Sequence, residues 1–205
     1  MAVLNIHERR IPGPPDQVGA LIDGLSGEDD QLWPGRDWPR LRLDAGLAVG
    51  SSGGHGPIGY TVSGYAPGNW IRFEFTAPRG FNGFHEFSVH PADDGGAVLR
   101  HTLAMTTRGA ARLTWPLAFR RLHDALLEDS LDRAERVCGS EPRTPANWSR
   151  YVRLLRLLRR TYPDTTSSIQ AARCSSNPSP VPSSGPRAAE ASPLNAREVS
   201  RPRAR

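Results

Sequence analysis

The side chains best suited to chemistry are two histidines and a tyrosine placed in step with apolar neighbours. His85 shares alternate positions with Phe87 and Val89, His101 with Leu99, Leu103 and Met105, and Tyr60 stands between Ile58 and Val62. Successive side chains of a strand point to opposite faces, so all three polar groups fall on an otherwise apolar face. Polar atoms in such a place need partners. Either they bond one another, the backbone or buried water as core histidines do, or they line a cavity and orient a ligand carbonyl or hydroxyl. In the second case a neutral imidazole can also shuttle a proton, which makes His85 and His101 the candidate acid–base groups.

Competing motifs are weaker. Gly54-His55-Gly56-Pro57-Ile58-Gly59 satisfies G-x-G-x-x-G as a string. However, Pro57 removes an amide and the next segment reads as a strand, so a hairpin or loop is expected rather than a dinucleotide site. A P-loop is excluded because the chain has no lysine. His85, Glu86 and His90 lack the i, i+4 helical spacing of a zinc motif, so no metal is expected there, and no cofactor elsewhere. His123-Asp124 reads as a solvated pair. Without G-x-S-x-G or a cysteine in a Cys-His setting, nucleophilic catalysis has no support.

These residues must be held by elements that the hydropathy pattern outlines. Residues 2–11 read as a strand, and Asp16–Leu25 as a short helix capped by Asp16. Glu28–Trp33 reads as a second short helix stopped by Pro34. Strands are expected at 41–44, 58–65, 70–77, 83–90 and 97–107. In the third of these Ile71, Phe73 and Phe75 alternate with Arg72, Glu74 and Thr76. From about Ala111 to Val137 the period becomes helical, with Trp115, Phe119, Leu122 and Leu126 on one side. Asp124, Glu128, Asp132 and Glu135 are expected on the solvated side, Pro116 in a first turn starting near Thr114, and Gly139 as the stop. Short turns between strands imply an antiparallel meander, and its apolar face needs a cover that only the long helix can supply. The expected fold is α+β: a curved antiparallel sheet wrapped around a long C-terminal helix, with two short helices after the first strand.

Over residues 1–139 the chain resembles the START-like, Bet v 1-like helix-grip superfamily, including bacterial SRPBCC proteins named polyketide cyclase/dehydrase. The residues that carry the resemblance are LWPGRDWPRLRLD (32–44), IRFEFTA (71–77) and WPLAFRRLHDALLEDSLDRAERV (115–137). It implies a cavity between sheet and helix for a small hydrophobic or aromatic ligand, lined by Trp33, Trp38, Tyr60, Phe73, His85, Phe87, His101, Trp115 and Phe119. It also implies the alternative of an aromatase/cyclase-like enzyme using His85 or His101.

Charge separates this body from an appendage. Residues 1–139 hold 14 Arg against 17 acids, whereas residues 140–205 hold 12 Arg against 4. The overall +5 therefore describes the tail, and a slightly acidic body argues against nucleic-acid binding. Residues 140–162 read as a linker and an amphipathic helix. Trp148 and Tyr151 lie on its apolar face, with Arg153, Arg156 and Arg160 opposite. That face suits docking on the domain, a second copy or an anionic membrane surface. Residues 163–205, rich in Ser, Pro, Ala and Arg, are expected to be disordered. Two cysteines and no secretory signal in the first ten residues point to the cytoplasm.

Overall fold

The computed structural model describes residues 1–160, with side chains as far as Leu158. The expectations for the 163–205 tail and for the Arg160 side chain lie outside the described residues. Seven strands form one antiparallel sheet: β1 (Ala2–Ile11), β2 (Arg42–Leu43), β3 (Ser52–His55), β4 (Ile58–Ala66), β5 (Trp70–Ala77), β6 (Phe81–Pro91) and β7 (Ala97–Thr107). The order β1-β7-β6-β5-β4-β3-β2 is a meander that β1 completes by pairing with β7. The G-x-G-x-x-G string is the β3–β4 hairpin, with His55 opposite Ile58. Register shifts in β4, between Gly59 and Tyr60 and between Val62 and Gly64, bend the sheet.

Helix α1 (Pro15–Asp23) follows β1. Pro14 precedes it and Pro15 opens it, so Asp16 lies in the first turn and caps nothing. Gly19 is required here, because a Cβ would stand 2.1 Å from the Gly68 carbonyl oxygen. Residues 28–33 make turns in place of a second short helix. The Asp30 carboxylate takes the backbone N–H groups of Ser26, Leu32 and Trp33, which diverts them from helical partners.

The long helical segment is α2 (Ala111–Thr114), a π-helical turn (Trp115–Phe119) and α3 (Arg120–Val137). Pro116 has no N–H to give, and the ladder widens around it, with Arg120 N–H reaching Trp115 O. At the other end Gly139 adopts φ +86° while its N–H bonds Arg136 O and Ser140 N–H bonds Glu135 O. This is a Schellman stop. Ile11, Ile22, Leu32, Ile71, Leu99 and Leu131 are fully buried at the centre of the core.

Helix α4 (Arg150–Arg160) packs back against α3. Asp129 accepts from both indoles, Trp38 Nε1 at 2.7 Å and Trp148 Nε1 at 2.8 Å. The Arg156 guanidinium covers the Trp148 ring at 3.6 Å and bonds the Asp37 carbonyl. Val152 is buried and Tyr151 donates to Leu117 O. Docking on the body thus engages Trp148, Tyr151 and Arg156, and Arg153 turns to Asn147. Leu154, Leu157 and Leu158 remain exposed. Among the described residues no helix is long and apolar enough to cross a membrane.

Candidate functional site

Strand alternation delivers the expected phase. Tyr60, Phe73, His85, Phe87 and His101 are all buried on the face that α3 covers. Between that face and the start of the long helix is a narrow hollow lined by Trp33, Trp38, His85, His101, Trp115 and Phe119. Tyr60, Phe73 and Phe87 stand behind this wall. Phe73 stacks on the His85 ring (centroids 5.0 Å) and Phe87 meets His101 edge-on at 4.7 Å. His55 and His123 also line the hollow. His55 was hidden in the glycine-rich string, where nothing marks which way the hairpin turns, and it packs on Trp33 at 4.7 Å.

The hollow has a volume of only about 60 Å³. Pockets that enclose drug-sized molecules offer roughly 300–1,000 Å³. The helix therefore nearly fills the sheet's concavity, and the cavity expected between sheet and helix is a narrow one. Trp115 and Phe119 of the π-helical turn border the hollow, while Leu117 of the same turn is 62% exposed.

The polar groups on this wall are only partly satisfied. His85 Nδ1 and His101 Nε2 lie 3.2 Å apart, one donating to the other. The two rings are thus paired with each other as core histidines are, and both border the hollow. His85 Nε2, His101 Nδ1 and the Tyr60 hydroxyl are buried with no hydrogen-bond partner among the described residues. Burial holds both imidazoles well below the usual histidine range, reinforced for His101 by His123 and for His85 by His55. Each is neutral at pH 7, so the ring that donates within the pair keeps an acceptor nitrogen on its outer side and the ring that accepts keeps an N–H donor there.

The far side of α3 differs from expectation. Asp124, Glu128, Asp132 and Glu135 do not form a solvated face, because the inward positions of β1 opposite them are polar. Arg9 reaches Glu128 at 2.8 Å, Asp132 at 3.1 Å and Glu135 at 2.6 Å. His7 bonds Glu128 through Nδ1 at 2.8 Å and Asp124 through Nε2 at 3.1 Å, and Asn5 donates to Asp124. Burial pulls the His7 pKa down, but the two carboxylates outweigh it and lift it to about 9. Glu128 is held low chiefly by its bond to His7.

No protein-family profile matches the chain, and no curated protein matches it in sequence. Solved structures do. CalU16 from Micromonospora echinospora is 16% identical over 77% of this chain and 84% of its own, with a TM-score of 0.50. A protein from Thermobifida fusca is 16% identical over 68% of this chain and 97% of its own, at 0.52. The di-domain ARO/CYC StfQ from the steffimycin biosynthetic pathway is 16% identical at 0.50; the match spans 67% of this chain and 51% of that one. At such low identity the likeness is one of fold, and the chain has the helix-grip fold of the START-like, Bet v 1-like proteins.

Proposed function

We propose that the hollow binds a small, flat hydrophobic or aromatic molecule bearing a hydroxyl or carbonyl group. The observation that supports this is an aromatic-walled hollow whose neutral histidine pair keeps two buried nitrogens without partners among the described residues. Apolar burial would supply affinity, at roughly 25 cal/mol per Å² before ordering costs. His85 and His101 would orient the polar group. With so little room, entry requires the lining to give way, and the turn at Trp115–Phe119 is the place built for it: its ladder is widened and Phe119 is only half-buried.

Fluorescence titration with naphthol tests the reading. Phe119→Ala should tighten binding several-fold by enlarging the mouth. If neither wild type nor Phe119→Ala binds this or any of a panel of hydroxylated aromatics, the proposal fails. A second reading is acid–base catalysis on a bound poly-carbonyl chain, favoured by the neutral state of the His85–His101 pair. A cyclisation assay in which His101→Gln turns over as fast as wild type would reject it.

A further inference from the structure

The fold brings His7, near the start of the chain, to the adjacent pair His123 and Asp124. His7 on β1, and His123 and Asp124 on α3, each offer one ligand atom, and these atoms lie within 4.8 Å of one another. Asp124 Oδ1 is 3.1 Å from His7 Nε2 and 3.8 Å from His123 Nδ1. We propose that His7, His123 and Asp124 form a binding site for one divalent late transition-metal ion, of the zinc, cobalt or nickel class. The site lies at the β1–α3 seam and stands apart from the aromatic-ligand reading of the hollow.

Three observations carry it. First, two imidazoles and a carboxylate suit borderline ions, whereas calcium and magnesium favour oxygen ligands alone. Second, metal–ligand distances of about 2.0–2.2 Å place neighbouring ligand atoms roughly 3–3.6 Å apart around a shared ion. His7 and Asp124 are already at that spacing, and a shift of well under an ångström brings His123 Nδ1 to Asp124. Third, both His123 ring nitrogens are buried with no hydrogen-bond partner among the described residues, since 3.8 Å to Asp124 is too long for one.

The surroundings are arranged to match. Glu128 accepts from His7 Nδ1, which fixes the ring and leaves Nε2 aimed at Asp124. A carboxylate behind a ligating histidine is the usual second layer of such a site. The ion would displace the proton that His7 otherwise shares with Asp124. Arg120, 3.7 Å from Asp124 Oδ2, and Arg9 on Glu128 hold the outer carboxylate oxygens. His123 also lines the hollow. Three protein ligands leave a coordination position free, the pattern of zinc sites that bind an exchangeable molecule.

The test uses the full chain, stripped of metal by a chelator. Calorimetric titration with Zn²⁺ should give one saturable equivalent, and Co²⁺ should develop visible ligand-field bands at the same stoichiometry. Glu128→Gln should weaken binding by about 10–100-fold. His123→Ala should weaken it at least as much, and His90→Ala, whose ring lies at an exposed strand end beside Ser88, should leave it unchanged. His7→Ala also breaks the ionic seam, so the wild type is read as well: proton NMR of its Co²⁺ form should show two hyperfine-shifted imidazole N–H signals. Absence of saturable binding, fewer than two such signals, or equal affinity in His123→Ala and His90→Ala would overturn the proposal.

Discussion

Replacing His85 and His101 together by phenylalanine should make the domain more stable than the wild type, although either replacement alone should do little. The pair shares one hydrogen bond of 3.2 Å, and its outer nitrogens are buried without partners among the described residues. An orphaned buried polar group costs about 1–3 kcal/mol. His101→Phe removes one orphan, the Nδ1 of His101, and creates another, the Nδ1 of His85, so stability should stay within about 1 kcal/mol. The double replacement removes every orphan of the pair and keeps the ring contacts with Phe73 and Phe87. A gain of about 2 kcal/mol follows, nearly all of it coupling between the two positions. Urea denaturation at pH 7 reads this directly. With a slope of roughly 1–3 kcal/mol per molar, the midpoint should rise by about 1 M. The same variant should lose binding of hydroxylated aromatics, the signature of a polar pair kept for function at the expense of stability. If instead the single losses are large and the double variant loses their sum, the nitrogens are satisfied independently and the reasoning is wrong.

Three further expectations are independent of one another. His85 and His101, which face His55, His123 and Tyr60, have folded pKa values below the unfolded value of about 6.5, so the folded state binds fewer protons. Their contribution to stability is complete above that pH. It declines as pH falls through it by up to about 1.4 kcal/mol per unit per histidine, and a melting series from pH 7 to 5.5 should show a shallower slope for the double phenylalanine variant. Asp129→Ala leaves two indole N–H groups without an acceptor and should lower stability by about 2–4 kcal/mol, or roughly 5–15 °C in melting temperature. It should also expose the arginines of α4 to trypsin; an unchanged melting point and digestion pattern would refute the docking role. Gly19→Ala forces a Cβ onto the Gly68 carbonyl and should cost more than about 2 kcal/mol, whereas Gly24→Ala, with its nearest neighbour at 3.6 Å, should be tolerated. Thermal melts of the two variants decide it.

Elements governed by a local period were legible in the chain. The strands at 70–77 and 97–107 coincide with the observed β5 and β7 because a two-residue alternation between a core and a solvent face leaves no other register. The phase of His85 and His101 followed from the same rule. What escaped was non-local. The acids of α3 looked solvated because helical periodicity sets them opposite Leu122 and Leu126, while the cations that bury them lie more than a hundred residues earlier. One sign was present: Asn5, His7 and Arg9 share a face with Val3 and Ile11, a polar stripe in phase with apolar positions. The size of the hollow was illegible for a different reason. It depends on how deeply Trp115 and Phe119 sink, which is set by the widened turn at Pro116 and not by any spacing of residue types.

The meander's closing strand is the first one made. β1 pairs with β7 from Ile11↔Ala97 to Ala2↔Thr106, so nearly the whole sheet must be translated before its opening segment finds a neighbour. At roughly 5–20 residues per second that segment waits on the order of 5–20 s outside the ribosome as a lone, sticky ribbon. The imidazole and guanidinium that later seal it to α3 serve meanwhile as solubilising gatekeepers, interrupting its greasy run until the last partner emerges.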